Sequence, residues 1–204
     1  PADSLVYLLF FLSGISGLVY EVIWVRIFGN LFGNTIYSAA IVTSVFMLGL
    51  GMGGYLAGIW SDKRYATGKP PAFLRNYGQA ELGVAALGLL VVLAFPLLRE
   101  LSGSLAGYVT DGRGWHHLSF GSHLGQMAAA VILMLPLTTL MGATLTLLIR
   151  HLLSGSMNFA GWRIGVLYGF NTAGAAMGCF ATDLFLVPLA GLLRTQLAAV
   201  AINA

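Results

Sequence analysis

Long apolar runs separated by short polar stretches dominate the chain. A helix needs about 20 mostly apolar residues to cross about 30 Å of hydrocarbon. Five runs meet that requirement: Leu5 to about Ile27, about Thr35 to Trp60, about Tyr77 to Leu98, about His123 to Ile149, and about Gly165 to Leu189. A sixth apolar run, TQLAAVAINA, follows Arg194. Its ten residues give about 15 Å of helix, half a bilayer. Either the sixth helix is short or the natural chain continues. The first run lacks a basic leader and an A-x-A cleavage pattern, so it reads as a retained helix rather than a signal peptide. Every regular element is expected to be α-helical, because an open strand edge cannot sit in lipid. The 99–121 connection is the longest, and Leu101 to Val109 within it is apolar enough for an interfacial helix.

Composition excludes the alternatives to a membrane protein. Hydrophobic residues make up 58% of the 204 positions and charged ones 8%, against about 25% charged in a soluble domain. Mean hydropathy is +0.86. Cys179 is the only cysteine, so no disulfide framework exists. The net charge of +3 comes from scattered Lys and Arg without a basic run, so no nucleic-acid partner is expected. The lipid bilayer is the expected surrounding, and residues 1–204 read as a single transmembrane helical domain. Lys63, Arg64, Lys69, Arg75, Arg150 and Arg163 fall on the side of the N-terminus, and Arg26, Arg99, Arg113 and Arg194 on the other. The bias favours a cytoplasmic N-terminus in a bacterial-type inner (plasma) membrane.

Glycine is abundant, with 27 residues, and G-x-x-x-G occurs eight times. Chance at this content gives roughly three or four such pairs, so about half report close helix packing. Two pairs fall in the second run and three at or in the fifth. Those two helices are expected at the bundle centre, backbone against backbone.

Three stretches carry a family resemblance: FLSGISGLVYEVIWVR from Phe11, FGNTIYSAAIVTSVFMLGLGMGGYLAGIWSDKR after it, and GVLYGFNTAGAAMGCFATDLFLVPLAGLLRT near the end. The combination of Tyr20-Glu21 with Trp24 and Arg26, Gly58-x-x-x-Asp62-Lys63-Arg64, and Tyr168-x-x-Asn171-Thr172 resembles the membrane domain of the fused transporter-like spermidine synthases. That resemblance covers about residues 1–64 and 163–200. It implies a fold distantly like half of a major facilitator protein, joined in the family to a soluble aminopropyltransferase domain. It also implies polyamine chemistry. The piece Gly58, Asp62, Lys63, Arg64, with Gly68 and Lys69 after it, looks like the facilitator loop motif. There the acid faces a helix end and the basic residues hold a cytoplasmic loop. The soluble enzyme domain is not in this chain. Such a domain needs a glycine-rich turn between strand and helix, and Gly49 to Gly54 lies inside an apolar helix instead. An aminopropyltransferase activity is implied only if a further C-terminal domain exists.

Glu21, Glu81 and Asp183 lie within apolar runs. A carboxylate at the bilayer centre costs about 2.5–3.5 kcal/mol on insertion scales. Glu21 and Asp183 fall near one surface with Arg26 and Arg194. They are candidates for a polar cluster of Glu21, Arg26 and Asp183, with Asn171 deeper, that lines a path for a small cation or amine. The competing reading is a structural ion pair or side chains reaching to the interface. Glu81, four residues into the third run and near Arg75, is a secondary candidate. Pro136 and Pro188 mark expected kinks. His116, His117 and His123 read as loop and helix-start residues rather than haem or metal ligands, and no cofactor is expected.

Two functions compete. One is a transporter-like domain that binds or moves a small cationic amine. The other is a membrane scaffold in a larger complex, since six helices are half of a facilitator-type fold. In either case a partner is expected: another copy, the rest of a longer chain, or a different membrane subunit. In a Cys179→Ser background, single cysteines in the 61–76 and 99–121 loops report orientation in intact cells. An impermeant thiol reagent is expected to label the second loop only. The inverse pattern reverses the topology.

Overall fold

The computed structural model of the chain describes residues 2–32, 35–67, 72–105, 107–110, 112–153 and 159–204. Six helices follow in order: α1 (Ala2–Phe32), α2 (Thr35–Ala66), α3 (Phe73–Leu105), α4 (Phe120–Leu153), α5 (Ala160–Ala181) and α6 (Val187–Asn203). A π-helical turn, Thr182–Leu186, joins the last two. Five helical stretches are long and apolar enough to cross a membrane: Ser4–Leu31, Ile36–Ala66, Phe73–Leu97, Phe120–Leu153 and Ala160–Asn203. The chain is an α-helical integral membrane domain.

One short piece departs from the all-helical expectation. Strands β1 (Tyr108–Thr110) and β2 (His116–Leu118) pair antiparallel, with Val109 opposite His117. The expected interfacial helix over Leu101–Val109 is therefore not formed as such: α3 continues to Leu105 and β1 takes over at Tyr108. Tyr, Val and Thr favour strand, and Gly114, at φ +84°, turns the chain back. The hairpin lies outside the five apolar stretches, where its edges need not be satisfied within lipid.

The helices associate in pairs through glycine. A Cβ on Gly174 would collide with the Phe11 carbonyl, and one on Gly178 with the Ile15 carbonyl, so α5 lies backbone-on-backbone along α1. Gly53 meets the Thr139 carbonyl and Gly142 meets the Leu50 carbonyl in the same way, between α2 and α4. Side-chain methyls cannot fit at these four positions, which is the condition for close approach in lipid. The glycine-rich helices α2 and α5 thus pack closely, but against α4 and α1 rather than against each other. Nor is α5 central. Its buried residues are Leu167, Gly174 and Gly178, against eleven in α4. Gly161, Gly165 and Gly169 face open space. The core is instead built by large side chains of α1, with Tyr20, Trp24 and Phe28 packed among Met134 and Leu137 of α4.

A straight helix of 44 residues, the length of Ala160–Asn203, would be about 66 Å long, twice the hydrocarbon thickness. Gly191 resolves this. Its φ of 76° and ψ of 171° break the helix in a region open essentially to glycine alone. Pro188 sits in the first turn of α6, where its missing N–H costs nothing, so the expected kink falls three residues later than the proline. Beyond Gly191 the chain runs back along α1 and α3. Gln196 Nε2 donates to the Gly88 carbonyl at 3.1 Å, and Asn203 reaches the level of Tyr77. Pro96 and Pro136 lie inside α3 and α4, which continue through them.

Gly174→Ala is expected to cost about 1–3 kcal/mol of stability by overpacking, read as a lower unfolding temperature in detergent. Gly169→Ala, on the same helix but facing open space, is expected to be neutral. Equal effects of the two would refute the glycine-contact account.

Candidate functional site

The expected polar cluster forms in part. Arg26 of α1 pairs with Asp183 of the π-helical turn, Nη2 to Oδ1 2.7 Å, with both side chains about half exposed. Asp183 is the second residue of that turn, and such turns recur at functional positions. Glu21 lines the same shallow groove of about 280 Å³, together with Cys179. Its own hydrogen bond comes from Thr43 Oγ1 of α2, at 3.3 Å. Asn171 is elsewhere: it packs against Gly14 and lines a different cavity between α1, α2, α4 and α5.

Of the loop motif, Asp62 is ion-paired with Arg150 in the last turn of α4, and Arg150 also lies over the Tyr65 ring. Asp62 therefore meets a helix end, though a C-terminal one reached through an arginine. Arg64 stacks over Trp60 at 5.6 Å. Lys63 is exposed, and a Cβ on Gly58 would meet nothing within 4 Å. Gly68, Lys69 and Asp111 lie outside the described residues. His116 Nδ1 is 3.1 Å from Thr110 Oγ1 within the hairpin, and His123 packs on Tyr37. Among the described residues no group of three His, Cys, Asp or Glu side chains could hold a metal ion.

The strongest arrangement is around Glu81. Because α3 begins at Phe73 rather than Tyr77, Glu81 is eight residues along it, about 12 Å deep. It is 8% exposed. Ser13 Oγ of α1 donates to Glu81 Oε1 at 2.7 Å. The Tyr77 hydroxyl lies between the Glu81 carboxylate and the Leu9 carbonyl, 3.4 Å from the latter, with one proton for two acceptors. Among the described residues no Lys or Arg forms an ion pair with Glu81. Arg75 stands exposed at the rim of the same cavity, whose volume is about 500 Å³. The last residue of α6, Asn203, is 7% exposed, and its Oδ1 is buried without a hydrogen-bond partner. The wall that holds the buried carboxylate thus also carries an unpartnered acceptor, Asn203 Oδ1. A buried carboxylate and an unpartnered acceptor are costly unless something with positive charge or N–H groups meets them.

Further along α1 the polar atoms continue. The Tyr20 hydroxyl, Trp24 Nε1 and Gln196 Oε1 are buried and without partners, and both Tyr20 and Gln196 lie against Gly88. Hydropathy hides them, since Tyr and Trp count as apolar and the Gln sits in a short run. The signal in the sequence is the spacing of Ser13, Tyr20 and Trp24, which share one face of a helix.

No protein-family model matches this chain, and neither a curated protein nor a solved structure does.

The Arg26–Asp183 pair lends itself to a double-mutant cycle. With both groups about half exposed, Arg26→Ala and Asp183→Ala are expected to couple by about 1 kcal/mol or less. The charge-swapped double variant should recover most of the loss in unfolding temperature. Strict additivity of the single variants would mean that the two do not interact.

Proposed function

We propose that this chain is a transporter-like membrane domain that binds a small cationic amine, with Glu81 as the anionic anchor. The observation that carries this reading is the buried carboxylate of Glu81 in a cavity with the unpartnered Asn203 Oδ1 and no ion-paired base among the described residues. An ammonium group supplies positive charge for the Glu81 carboxylate and N–H donors that can also reach Asn203 Oδ1. Glu81 thus takes the leading role, ahead of the half-exposed cluster of Glu21, Arg26 and Asp183. The resemblance to the membrane part of fused spermidine synthases makes a polyamine the first amine to try. On the same reading the fold is a facilitator-like half. The helix after Gly191 is then a sixth crossing, and the N-terminus faces the cytoplasm of a bacterial-type cell.

The second reading, a scaffold subunit, is favoured by one observation. Helix α5 buries Leu167, Gly174 and Gly178, and its exposed Trp162, Tyr168, Phe170 and Phe180 offer a face for a partner polypeptide.

The test uses purified protein in lipid nanodiscs. Labelled spermidine and labelled methylammonium are expected to bind the wild type, and Glu81→Gln to lose at least tenfold in affinity, about 1.4 kcal/mol. Arg75→Gln, which removes the one cation at the rim, should bind at least as well as wild type. Saturable binding unaffected by Glu81→Gln, or no binding at all, would overturn the amine reading and leave the scaffold.

A further inference from the structure

Helices α1, α3 and α6 meet at two matching levels. At the first, Ser13 of α1 donates to Glu81 of α3, and Asn203 of α6 lines the same cavity. At the second, Tyr20 of α1 lies against Gly88 of α3, whose carbonyl accepts from Gln196 Nε2 of α6. Ser13 to Tyr20, Glu81 to Gly88 and Gln196 to Asn203 are each seven residues apart, about two turns and 10 Å of helix. Each pair therefore shares a face of its own helix. Later residues of α6 meet earlier residues of α3, so these two helices run antiparallel. The bond from Gln196 to Gly88 thus fixes the register that brings Asn203 to the level of Glu81.

The residues that α6 buries are polar or small: Thr195, Gln196, Ala199 and Asn203. Thr195 Oγ1 donates to the Gly191 carbonyl at 2.8 Å and so settles within its own helix. Gln196 places its amide N–H on α3. Asn203 Oδ1 has no partner. Buried unpartnered atoms also occur on Tyr20, Trp24 and Gln196, but none of those three residues lines the Glu81 cavity. Of the four, Asn203 alone stands on its wall, at the level of a carboxylate. Neither an ionised carboxylate nor an amide oxygen can donate to the other. A ligand that joins them brings one N–H for each.

We infer that Asn203 sets the specificity of this site: it selects ammonium ions with at least two N–H groups, those of primary and secondary amines, over tertiary and quaternary ones. This rests on the amine reading above and narrows its substrate class. One N–H meets the Glu81 carboxylate and a second meets Asn203 Oδ1. A trimethylammonium ion has a single N–H and leaves one of the two oxygens buried and bare, the kind of mismatch that a polar site rejects most strongly. Apolar transfer works in the opposite direction, since each added methyl gains by leaving water. The cavity of about 500 Å³ has room for that methyl. A preference for the less methylated ion therefore reports the second acceptor.

The experiment is displacement of labelled methylammonium from the wild type and variants in nanodiscs, with unlabelled methyl-, dimethyl-, trimethyl- and tetramethylammonium as competitors. In the wild type, dimethylammonium is expected to compete at least about fivefold better than trimethylammonium, the worth of one charge-assisted hydrogen bond less that of a methyl. In Asn203→Leu that ratio should fall close to one, while trimethylammonium keeps its wild-type potency; a merely structural loss would weaken all four ions alike. Trimethylammonium as potent as dimethylammonium in the wild type, or a ratio unchanged in a folded Asn203→Leu protein, overturns the inference. The wild-type series needs no variant and decides the case if Asn203→Leu does not fold. Methylammonium binding that survives Glu81→Gln brings down the amine reading itself. Loss in Glu81→Gln with no step between dimethyl- and trimethylammonium brings down only the role of Asn203.

Discussion

Backbone contact between helices is the constraint on which the rest of this bundle depends. In lipid, leucine gains nothing by leaving acyl chains for protein, so association relies on close packing and on polar groups. Gly174 and Gly178 bring α5 onto the carbonyls of α1, while Gly53 and Gly142 bring α2 and α4 together. These contacts set two helix pairs at short range. The larger side chains of α1, Tyr20, Trp24 and Phe28, then fill what remains between the pairs. Removing a glycine contact moves a whole helix, because a backbone carbonyl has no rotamer with which to yield.

The second constraint is the satisfaction of polar atoms. The buried hydroxyls of Ser61, Thr138 and Thr182 each donate to a carbonyl one turn back, the cheapest solution within a helix. The interface of α1, α3 and α6 departs from that pattern. There Glu81, Tyr20, Gln196 and Asn203 depend on atoms of other helices, and three of the four keep an unpartnered atom. Among the described residues the buried side-chain atoms without a partner, those of Tyr20, Trp24, Gln196 and Asn203, all lie on α1 and α6. Concentration of that kind is what separates a site from scattered imperfection.

The apolar runs made the helical spans legible, because lipid demands length and hydropathy and little else. Helix ends were less legible. Phe73 to Tyr77 looked like loop because Arg75 and Asn76 interrupt the apolar pattern, and that misplacement set Glu81 too shallow and made it secondary. The hairpin was hidden by the hydropathy of Tyr108 and Val109, which read equally as helix. The Gly191 break could not be told from a tolerated glycine, since only the backbone angle distinguishes them. The pairing of Arg26 with Asp183 was within reach, as both lay near the same surface. Asn171 was misassigned to that group because linear depth carries no information about which side of a helix a residue faces.

The first helix shows how both constraints are met by one segment. Phe11 and Ile15 offer their carbonyls to the glycines of α5. Leu9, Ser13, Tyr20 and Trp24 fall within about 60° of one another on roughly the opposite side, at 100° per residue. The face held by α5 has no freedom to shift, because its contacts are backbone to backbone. The polar face is therefore carried on a rigid element, with Ser13 held at Glu81 by the same helix that α5 clamps.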